Sequence, residues 1–202
     1  MTQLLRPALT LFALLSVLTG IVYPFAIAAI ARLAFPLEAG GSVLLRNGDA
    51  IGSREIGQNF ADPAHFWGRP SATAPQPYNA LASGGSNLGP ANPALADAVR
   101  QRMQALRAAD PDNRLPVPAD LVTASASGLD PDISPASARY QAARVARARA
   151  LPVEKIEALI DSHTRERQFG FLGEARVNVL ELNLALDGAA IAAETKPGTA
   201  PK

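Results

Sequence analysis

Residues 83–90 are the part of the chain best suited by residue type to hold an anion. They read Ser-Gly-Gly-Ser-Asn-Leu-Gly-Pro, and the successive backbone N–H groups of a glycine-rich loop can cradle a phosphate. The segment lacks the Gly-Lys-Ser/Thr ending of a P-loop, and no predicted strand leads into it. Ser83, Gly84 and Gly85 are therefore candidate nucleotide contacts, and a tight surface turn is the alternative interpretation.

A second candidate site is a set of arginines on a predicted helix that has no acid between residues 133 and 153. The set consists of Arg139, Arg144, Arg147 and Arg149. At 100° per residue, Tyr140, Arg144 and Arg147 fall within about 60° of each other. This cationic stripe could meet an acidic partner, lipid phosphates or a nucleotide, and a solvated face is the alternative. Gln141 points to the other, apolar side, which is typical of a hydrogen-bonded boundary residue rather than of a nucleotide contact.

The histidines and serines give no signature of an enzyme. His163 continues an apolar helical stripe, which favours a hydrogen-bonded core histidine over a catalytic base. His65 has no serine or acid at a spacing typical of a triad. Ser125 and Ser127 lie among aspartates that could line a polar pocket of undefined chemistry. We predict neither a catalytic residue nor a metal site.

The elements that must position these residues begin with a membrane helix. Residues 7–31 are an uncharged run of 25 residues between Arg6 and Arg32. At about 1.5 Å per residue, this run is long enough to cross roughly 30 Å of hydrocarbon. A cleaved signal peptide is the alternative, although the apolar run is about twice as long as such peptides usually carry. Flanking charges do not decide the orientation, because basic residues lie on both sides of the run.

Three residues of this run indicate that the helix packs against other helices. Gly20 and Pro24 would break a soluble helix, but a membrane helix tolerates them where neighbouring helices pack against it. Tyr23 lies near one end of the run, as interfacial aromatic residues often do. We therefore predict that Gly20, Tyr23 and Pro24 contact a partner.

The remaining chain predicts one mixed α+β domain over residues 32–188. An Asn-Gly turn at 47–48 predicts a hairpin between 42–46 and 50–56. The capping residues Asn92 and Ser134, each followed by proline, predict helices from 93 to 110 and from 135 to about 150, and Pro152 opens a third predicted helix that runs to 163. Strict alternation predicts a half-buried strand over 180–187. Residues 59–93 read as a long loop, in which Trp67 and Tyr78 indicate a docking surface. We expect residues 189–202 to be disordered.

Composition excludes several classes of protein. Hydrophobic residues make up 48% of the 202 residues, and charged residues 18%, which is not the composition of a disordered chain. The net charge of +1 gives no broad attraction to nucleic acid. The chain has no cysteine, so it forms no disulfide, thiolate zinc site or iron–sulfur cluster.

Taken together, the motifs resemble one family, the C subunits of Kdp-type potassium-transporting ATPases. The likeness covers nearly the whole chain and includes Thr-Gly-Ile-Val-Tyr-Pro at 19–24, Gly-Arg-Pro-Ser-Ala at 68–72, Ser-Gly-Gly-Ser-Asn-Leu at 83–88, Val-Thr-Ala-Ser-Ala-Ser-Gly-Leu-Asp at 122–130, and segments 6–8, 56–60, 144–149 and 177–186. The main departure is an extended tail after residue 187. So many ordered matches make the resemblance specific.

The resemblance implies an accessory subunit of a potassium-uptake complex in the bacterial inner membrane. Its implied partners are the potassium-carrying subunit KdpA, the P-type ATPase subunit KdpB, the small membrane subunit KdpF and membrane lipid. Residues 1–6 would be cytoplasmic, the helix would pack on KdpA, and the domain would be periplasmic. The chain lacks the Asp-Lys-Thr-Gly-Thr motif of P-type pumps, which agrees with a non-catalytic subunit required for assembly.

The resemblance also implies a catalytic-chaperone role, in which the subunit raises the affinity of the pump for ATP. That role would use Gln141 and the loop 81–86, which is similar to the signature loop of ABC ATPases. Because ATP is cytoplasmic and the implied domain is periplasmic, we favour a clamp instead. In it, residues 59–93 and the Arg144/Arg147 face hold the outer mouth of KdpA. Two further hypotheses are a signal-anchored periplasmic hydrolase using Ser125 or Ser127 with an aspartate and His65, and lipid binding through the arginine helix.

Overall fold

The computed structural model describes residues 2–188. These residues form two compact units, 2–43 and 44–188. The fold is a mixture of helices and short strands, as the sequence predicts. The tail 189–202, for which the sequence predicts disorder, lies outside the described residues.

The first unit consists of an interrupted apolar helix. Helix α1 (Thr2–Val17) runs through a π-helical turn (Leu18–Val22) into α2 (Tyr23–Ala34), and a short α3 (Pro36–Ala39) follows. The interruption has a chemical cause, because Pro24 has no N–H to donate to the carbonyl of Gly20, four residues earlier. In the wider turn, the N–H of Tyr23 donates to the carbonyl of Leu18, five residues earlier.

This interrupted helix is long and apolar enough to cross a membrane. Within Leu4–Ala34, an 18-residue stretch has a mean hydropathy of 2.2, and none of this stretch is buried. The hydroxyl of Thr19 donates to the carbonyl of Leu15 at 2.7 Å, which satisfies its polar group inside the helix. The helix extends beyond the uncharged run 7–31 at both ends.

The second unit contains the predicted hairpin and the three predicted helices. Strands β1 (Val43–Arg46) and β2 (Asp49–Ser53) are joined at Asn47 and Gly48, which both have positive φ, as a two-residue hairpin turn requires. The helices are α4 (Pro93–Ala109), α5 (Pro135–Ala148) and α6 (Val153–His163). The side chain of Asn92 caps α4, and that of Ser134 caps α5. Two single 3₁₀ turns, Ala80–Ala82 and Ala119–Leu121, interrupt the connecting segments.

A small antiparallel sheet and a final helix complete the second unit. The strands β3 (Asp132–Ile133), β4 (Thr164–Arg165) and β5 (Arg176–Asn178) have the order β3–β5–β4. Helix α7 (Val179–Leu186) follows β5 directly. Two cores lie on either side of α5: a larger one formed by Phe66, Ile133, Val145, Ile156, Ile160, Val177 and Leu182, and a smaller one formed by Leu106, Leu121, Val122 and Tyr140.

The strand predicted over 180–187 is wrong, because this segment is helix α7. The side chain of Asn178 accepts a hydrogen bond from the N–H of Glu181 and so starts the helix. Leu180 and Leu184 pack with Leu44, whereas Leu182 packs in the larger core. A helix that is buried on two sides carries apolar residues at many positions, and over eight residues this pattern imitates the alternation of a strand.

Candidate docking site

Two buried amide side chains hold the backbone of consecutive residues in the long loop. The side chain of Asn183 accepts from the N–H of Phe66 at 2.8 Å and donates to its carbonyl at 2.9 Å. Gln141 does the same for Trp67, at 2.8 and 3.1 Å. Both amides are about 1% exposed. We call this pair, Gln141 and Asn183, the amide clasp; it replaces the pairing that a neighbouring strand would provide.

The clasp orients two aromatic side chains differently. Phe66 is fully buried in the larger core, whereas Trp67 is half-buried and packs against the smaller one. The indole N–H of Trp67 donates to the carbonyl of Asp62 at 2.9 Å. The long loop is therefore fixed to α5 and α7 at its aromatic residues.

Gln141 uses its full hydrogen-bonding capacity within the protein. Besides holding Trp67, it accepts from Arg144 at 2.6 Å and donates to the carbonyl of Ser137 at 3.2 Å. An amide side chain accepts two hydrogen bonds at its oxygen and donates two from its nitrogen, and all four are made here. The prediction of a satisfied polar residue on the apolar side of the helix is confirmed. A nucleotide could contact Gln141 only after the core had opened.

Arg144 does not lie on an exposed cationic stripe, so that prediction is wrong. Arg144 is 4% exposed, and it donates to the carbonyls of Pro63 and His65 as well as to Gln141. Its guanidinium carbon lies 4.4 Å from the centroid of the Trp67 ring. Burial lowers the pKa of Arg144 to about 10, while the nearby carboxylates of Asp110 and Asp62 act in the opposite direction. The guanidinium is thus a rigid support beneath the loop.

The other three arginines of the predicted set each pair with an acid from another part of the chain. Arg139 pairs with Asp161 at 2.8 Å, and Arg149 pairs with Asp187 at 2.6 Å. Arg147 pairs with Asp110 and lies 3.5 Å from Asp112, with about half of its side chain exposed. Of the predicted cationic residues, Arg139 and Arg147 therefore reach the surface, and the charge of each is largely compensated.

The glycine-rich loop docks on a neighbouring segment of the chain. The hydroxyl of Ser83 and the N–H of Gly84 both donate to the carbonyl of Ser127, at 3.0 and 2.8 Å. A side chain at Gly85 would lie 2.8 Å from the carbonyl oxygen of Ala126, so glycine permits this close approach. The N–H of Gly84 is thus already used. Within the described residues, Gln141 bonds to Trp67, Ser137 and Arg144, and no hydrogen bond joins it to this loop.

A cleft of about 350 Å³ opens beside the clasp and is the candidate docking site. Its aromatic lining is Phe60, Trp67 and Tyr78, and its cationic lining is Arg69 and Arg102. Arg69 pairs with Asp130 at 2.9 Å, whereas Arg102 donates to the carbonyl of Val122 at 2.8 Å. Apolar walls with a few fixed polar groups are typical of recognition sites.

Tyr78 is built into the wall of this cleft. Its hydroxyl donates to the carbonyl of Arg69 at 2.6 Å, and its backbone N–H donates to the hydroxyl of Ser71. The ring fits because two neighbours are glycines: a Cβ at Gly57 would lie 2.4 Å from the ring, and one at Gly68 would lie 2.7 Å from the hydroxyl. Burial raises the pKa of Tyr78 to about 12, and the charge of Asp130 adds to the effect.

We expect Tyr78 to make the second unit less stable above pH 10. An unfolded tyrosine ionises near pH 10, whereas the folded one holds its proton to about pH 12, so unfolding in this interval releases a proton and rising pH favours it. The loss, discounted for partial exposure, reaches about 2 kcal/mol at pH 12. Denaturant unfolding of the wild type and Tyr78→Phe between pH 9 and 12 measures it.

The difference between the wild type and Tyr78→Phe isolates the contribution of the Tyr78 hydroxyl to the pH dependence. Arg144, whose pKa is lowered, contributes a slope of the opposite sign in both proteins and cancels in the difference. The free energy of unfolding should therefore fall more steeply with pH in the wild type than in Tyr78→Phe. Equal slopes would contradict the assignment.

The residues of the hydrolase hypothesis are not assembled into a catalytic site. The hydroxyl of Ser125 accepts from the N–H of Gly128, and that of Ser127 accepts from the N–H of Leu129. His65 instead lies 3.3 Å from Asp187. His163 is half-buried and contacts the carbonyl of Leu159. Over residues 2–188, no group of three or more His, Asp or Glu side chains could hold a metal ion.

Comparison with known proteins identifies the family. A family model described as "K+-transporting ATPase, c chain", named KdpC, matches residues 5–188. The chain belongs to the KdpC family. A relative in Variovorax paradoxus is 68% identical over 192 residues, which cover 95% of this chain and 100% of the relative. A relative in Polaromonas naphthalenivorans is 63% identical over 201 residues, with both chains covered completely. Both are called "Potassium-transporting ATPase KdpC subunit", so the resemblance seen in the motifs is confirmed.

The matched residues include the long loop, the clasp and the apolar helix from residue 5 onward. Sequence reasoning found Trp67, Tyr78 and Gln141, but it did not single out Asn183. The signal was present, because Asn183 is the one amide within Val179–Leu186, where Glu181 is the only other polar residue. A lone buried amide must be hydrogen-bonded, and this requirement could have indicated a structural partner.

Proposed function

We propose that this chain is a membrane-anchored, non-catalytic subunit that assembles and stabilises a potassium-transporting ATPase. Its partners are KdpA, KdpB and KdpF. The observation that carries the proposal is the amide clasp, which fixes an aromatic cleft on a unit linked to an apolar helix. In a member of the KdpC family, a preformed surface of this kind suits docking, because little ordering entropy is lost on binding.

The interrupted helix serves as the membrane part of the docking surface. Gly20 has open space around its Cα, so a partner helix can approach closely there. Tyr23 and Pro24 lie at the junction of the π-helical turn and α2, where the rotation of the side chains around the helix axis changes. We place residues 1–6 in the cytoplasm and the second unit in the periplasm of the bacterial inner membrane.

The cleft serves as the docking surface outside the membrane, where it clamps the outer mouth of KdpA. Trp67, Tyr78 and Arg147 contact the partner, whereas Arg144 acts as a positioning residue beneath the loop. The buried, fully bonded state of Gln141 and the occupied N–H of Gly84 support this clamp over a chaperone that binds ATP. The proposal assigns no cofactor to the chain.

Co-purification tests the proposal directly. The chain, tagged at its C-terminus, should bring the potassium-carrying and ATPase subunits with it from detergent-solubilised membranes. Deletion of the gene should abolish potassium-stimulated ATP hydrolysis in those membranes. Recovery of a lone monomer at native expression would contradict the assembly role.

Orientation has an independent test, because the natural chain contains no cysteine. Leu81 is 98% exposed, so Leu81→Cys offers a reactive thiol on the second unit. A membrane-impermeant maleimide should label it in intact cells whose outer membrane has been permeabilised. Labelling only after cell lysis would place the unit in the cytoplasm and favour the ATP-affinity role.

We expect Pro24→Ala to reduce recovery of the complex several-fold. Alanine restores an N–H that can donate to the carbonyl of Gly20, so the π-helical turn can close into α-helix. The faces of α1 and α2 would then rotate relative to each other by on the order of a quarter turn. Pro36→Ala is the matched control, because Pro36 occupies the first turn of α3, where a missing N–H costs little. Equal recovery of both variants would contradict a role for the turn.

A further inference from the structure

The connection between β4 and β5 presents three large apolar side chains to solvent. Phe169 is 78% exposed, Phe171 is 71% exposed and Leu172 is 47% exposed. We call these three residues the aromatic tip. Contiguous apolar side chains at this exposure often mark a functional contact with another apolar phase.

The backbone holds the aromatic tip in one conformation. Gln168 and Leu172 exchange both backbone hydrogen bonds, each at 2.9 Å, and the N–H of Gly170 donates to the carbonyl of Arg167 at 3.0 Å. Phe169 has φ of 55° and Gly170 has φ of 81°, so the turn uses the left-handed region at consecutive positions. Because the tip is ordered before any contact is made, binding orders little additional chain.

Closed ion pairs surround the base of the tip. Arg165 pairs with Glu181 at 2.8 Å, Arg167 with Glu174 at 2.5 Å, and Arg176 with Asp132 at 3.0 Å. Each arginine is therefore compensated before the tip makes any contact. Because these arginines are paired, the rim does not require an anionic surface, and the exposed carboxylate of Glu166 in the same connection must stay in water beside the headgroups.

The small area of the tip indicates which apolar phase it meets. The three side chains expose roughly 300–400 Å², whereas a stable protein–protein interface buries about 1,200–2,000 Å². A contact with a bilayer needs no such minimum area when the chain is already anchored in it. Residues 35–43 connect the apolar helix to the second unit and reach at most about 30 Å when fully extended, so a lipid contact made by the second unit is intramolecular once the helix is inserted.

We infer that the aromatic tip inserts into the interfacial region of the bilayer and acts as a second, reversible membrane anchor. The ligand class is a zwitterionic phospholipid surface, which the side chains of Phe169, Phe171 and Leu172 enter while the ion-paired rim remains at the headgroups. This inference rests on the proposed membrane span of α1 and α2. Its consequence is that the second unit has a reversible lipid contact of its own, in addition to the anchoring helix.

Fluorescence quenching in the full chain tests the inference. Gln168→Cys, labelled with bimane, keeps all three apolar side chains and reports from beside them. In phosphatidylcholine vesicles, nitroxide-labelled lipids should quench this probe about fivefold more than a probe at Leu81→Cys, a position that is also exposed but lies elsewhere in the second unit. Adding Phe169→Ser and Phe171→Ser should reduce quenching to the Leu81 level, because burying each phenyl ring contributes roughly tenfold or more to partitioning.

Two controls distinguish loss of the tip contact from misfolding and from failure of the membrane span. Phe169→Trp with Phe171→Trp should preserve quenching of the probe at Gln168→Cys, so loss in the serine variant cannot come from a general intolerance of substitution. A probe at Phe12→Cys, within α1, reports insertion of the helix by itself. Strong quenching at position 12 without quenching at position 168 would overturn the tip anchor and leave the proposed function intact.

The assembled complex supplies the remaining outcomes. Lipid quenching at position 168 that persists in the complex supports the anchor, and it should change by less than twofold between 50 and 500 mM salt because the rim is paired. Protection from both iodide and lipid quenchers only in the complex would show that a partner subunit covers the tip. Access to iodide with and without the partners would show that the tip remains in water. Either of these last two results overturns the inference.

Discussion

Replacing Asn183 with leucine should lower the free energy of unfolding by about 3 kcal/mol. Leucine has the same branched arrangement of side-chain heavy atoms as asparagine but leaves both the N–H and the carbonyl of Phe66 without a partner in a buried position. Each unsatisfied buried group costs about 1–3 kcal/mol. In a protein of this size the melting temperature should fall by roughly 6–12 °C. Trp67, the single tryptophan, reports the transition in detergent by fluorescence.

Gln141→Leu should have an effect of similar or larger size. It removes the partner of the Trp67 backbone and also one acceptor of Arg144. Asn92→Ala is the control for loss of an exposed side-chain hydrogen bond, since Asn92 only caps α4, and it should cost about 1 kcal/mol. A variant Gln141→Leu that is as stable as the wild type, but that lowers the affinity of the assembled pump for ATP, would contradict the clasp and favour a nucleotide contact.

Signals that are local in the chain predicted much of this fold. Asn47 and Gly48 carry the positive φ angles that their hairpin needs, and Asn92 and Ser134 begin the helices that they were predicted to cap. In each case the deciding interaction lies within three residues of the signal. The uncharged run 7–31 is predictable for the same reason, because hydropathy is a property of the segment alone.

The candidate site was less predictable because its contacts join distant parts of the chain. The angular positions of Arg144 and Arg147 on α5 follow from the helical period, but which face is covered depends on a loop about 80 residues earlier. The same limit explains the error at α7. Its alternating leucines suit a strand or a doubly buried helix equally, and only their packing against Leu44 and the larger core separates the two.

The burial of Arg144 leads to the second large expected effect. Arg144→Lys should lower the free energy of unfolding by about 2–3 kcal/mol, because an ammonium cannot reproduce the planar fork that reaches Pro63, His65 and Gln141. It also places a more strongly hydrated charge in a buried position beside Trp67. Denaturant unfolding followed by Trp67 fluorescence measures the change.

Arg139→Lys is the matched control on the same helix. Arg139 and Asp161 are both more than half exposed, so their ion pair contributes roughly 0–1 kcal/mol, and lysine can replace arginine there. Both variants replace arginine with lysine on the same helix, and they differ in how deeply the original arginine is buried. If Arg144→Lys were as stable as Arg139→Lys and yet failed to recover the partner subunits, Arg144 would contact the partner directly. The clamp would then include the arginine face that the sequence predicts, and the loop would have to move to expose it.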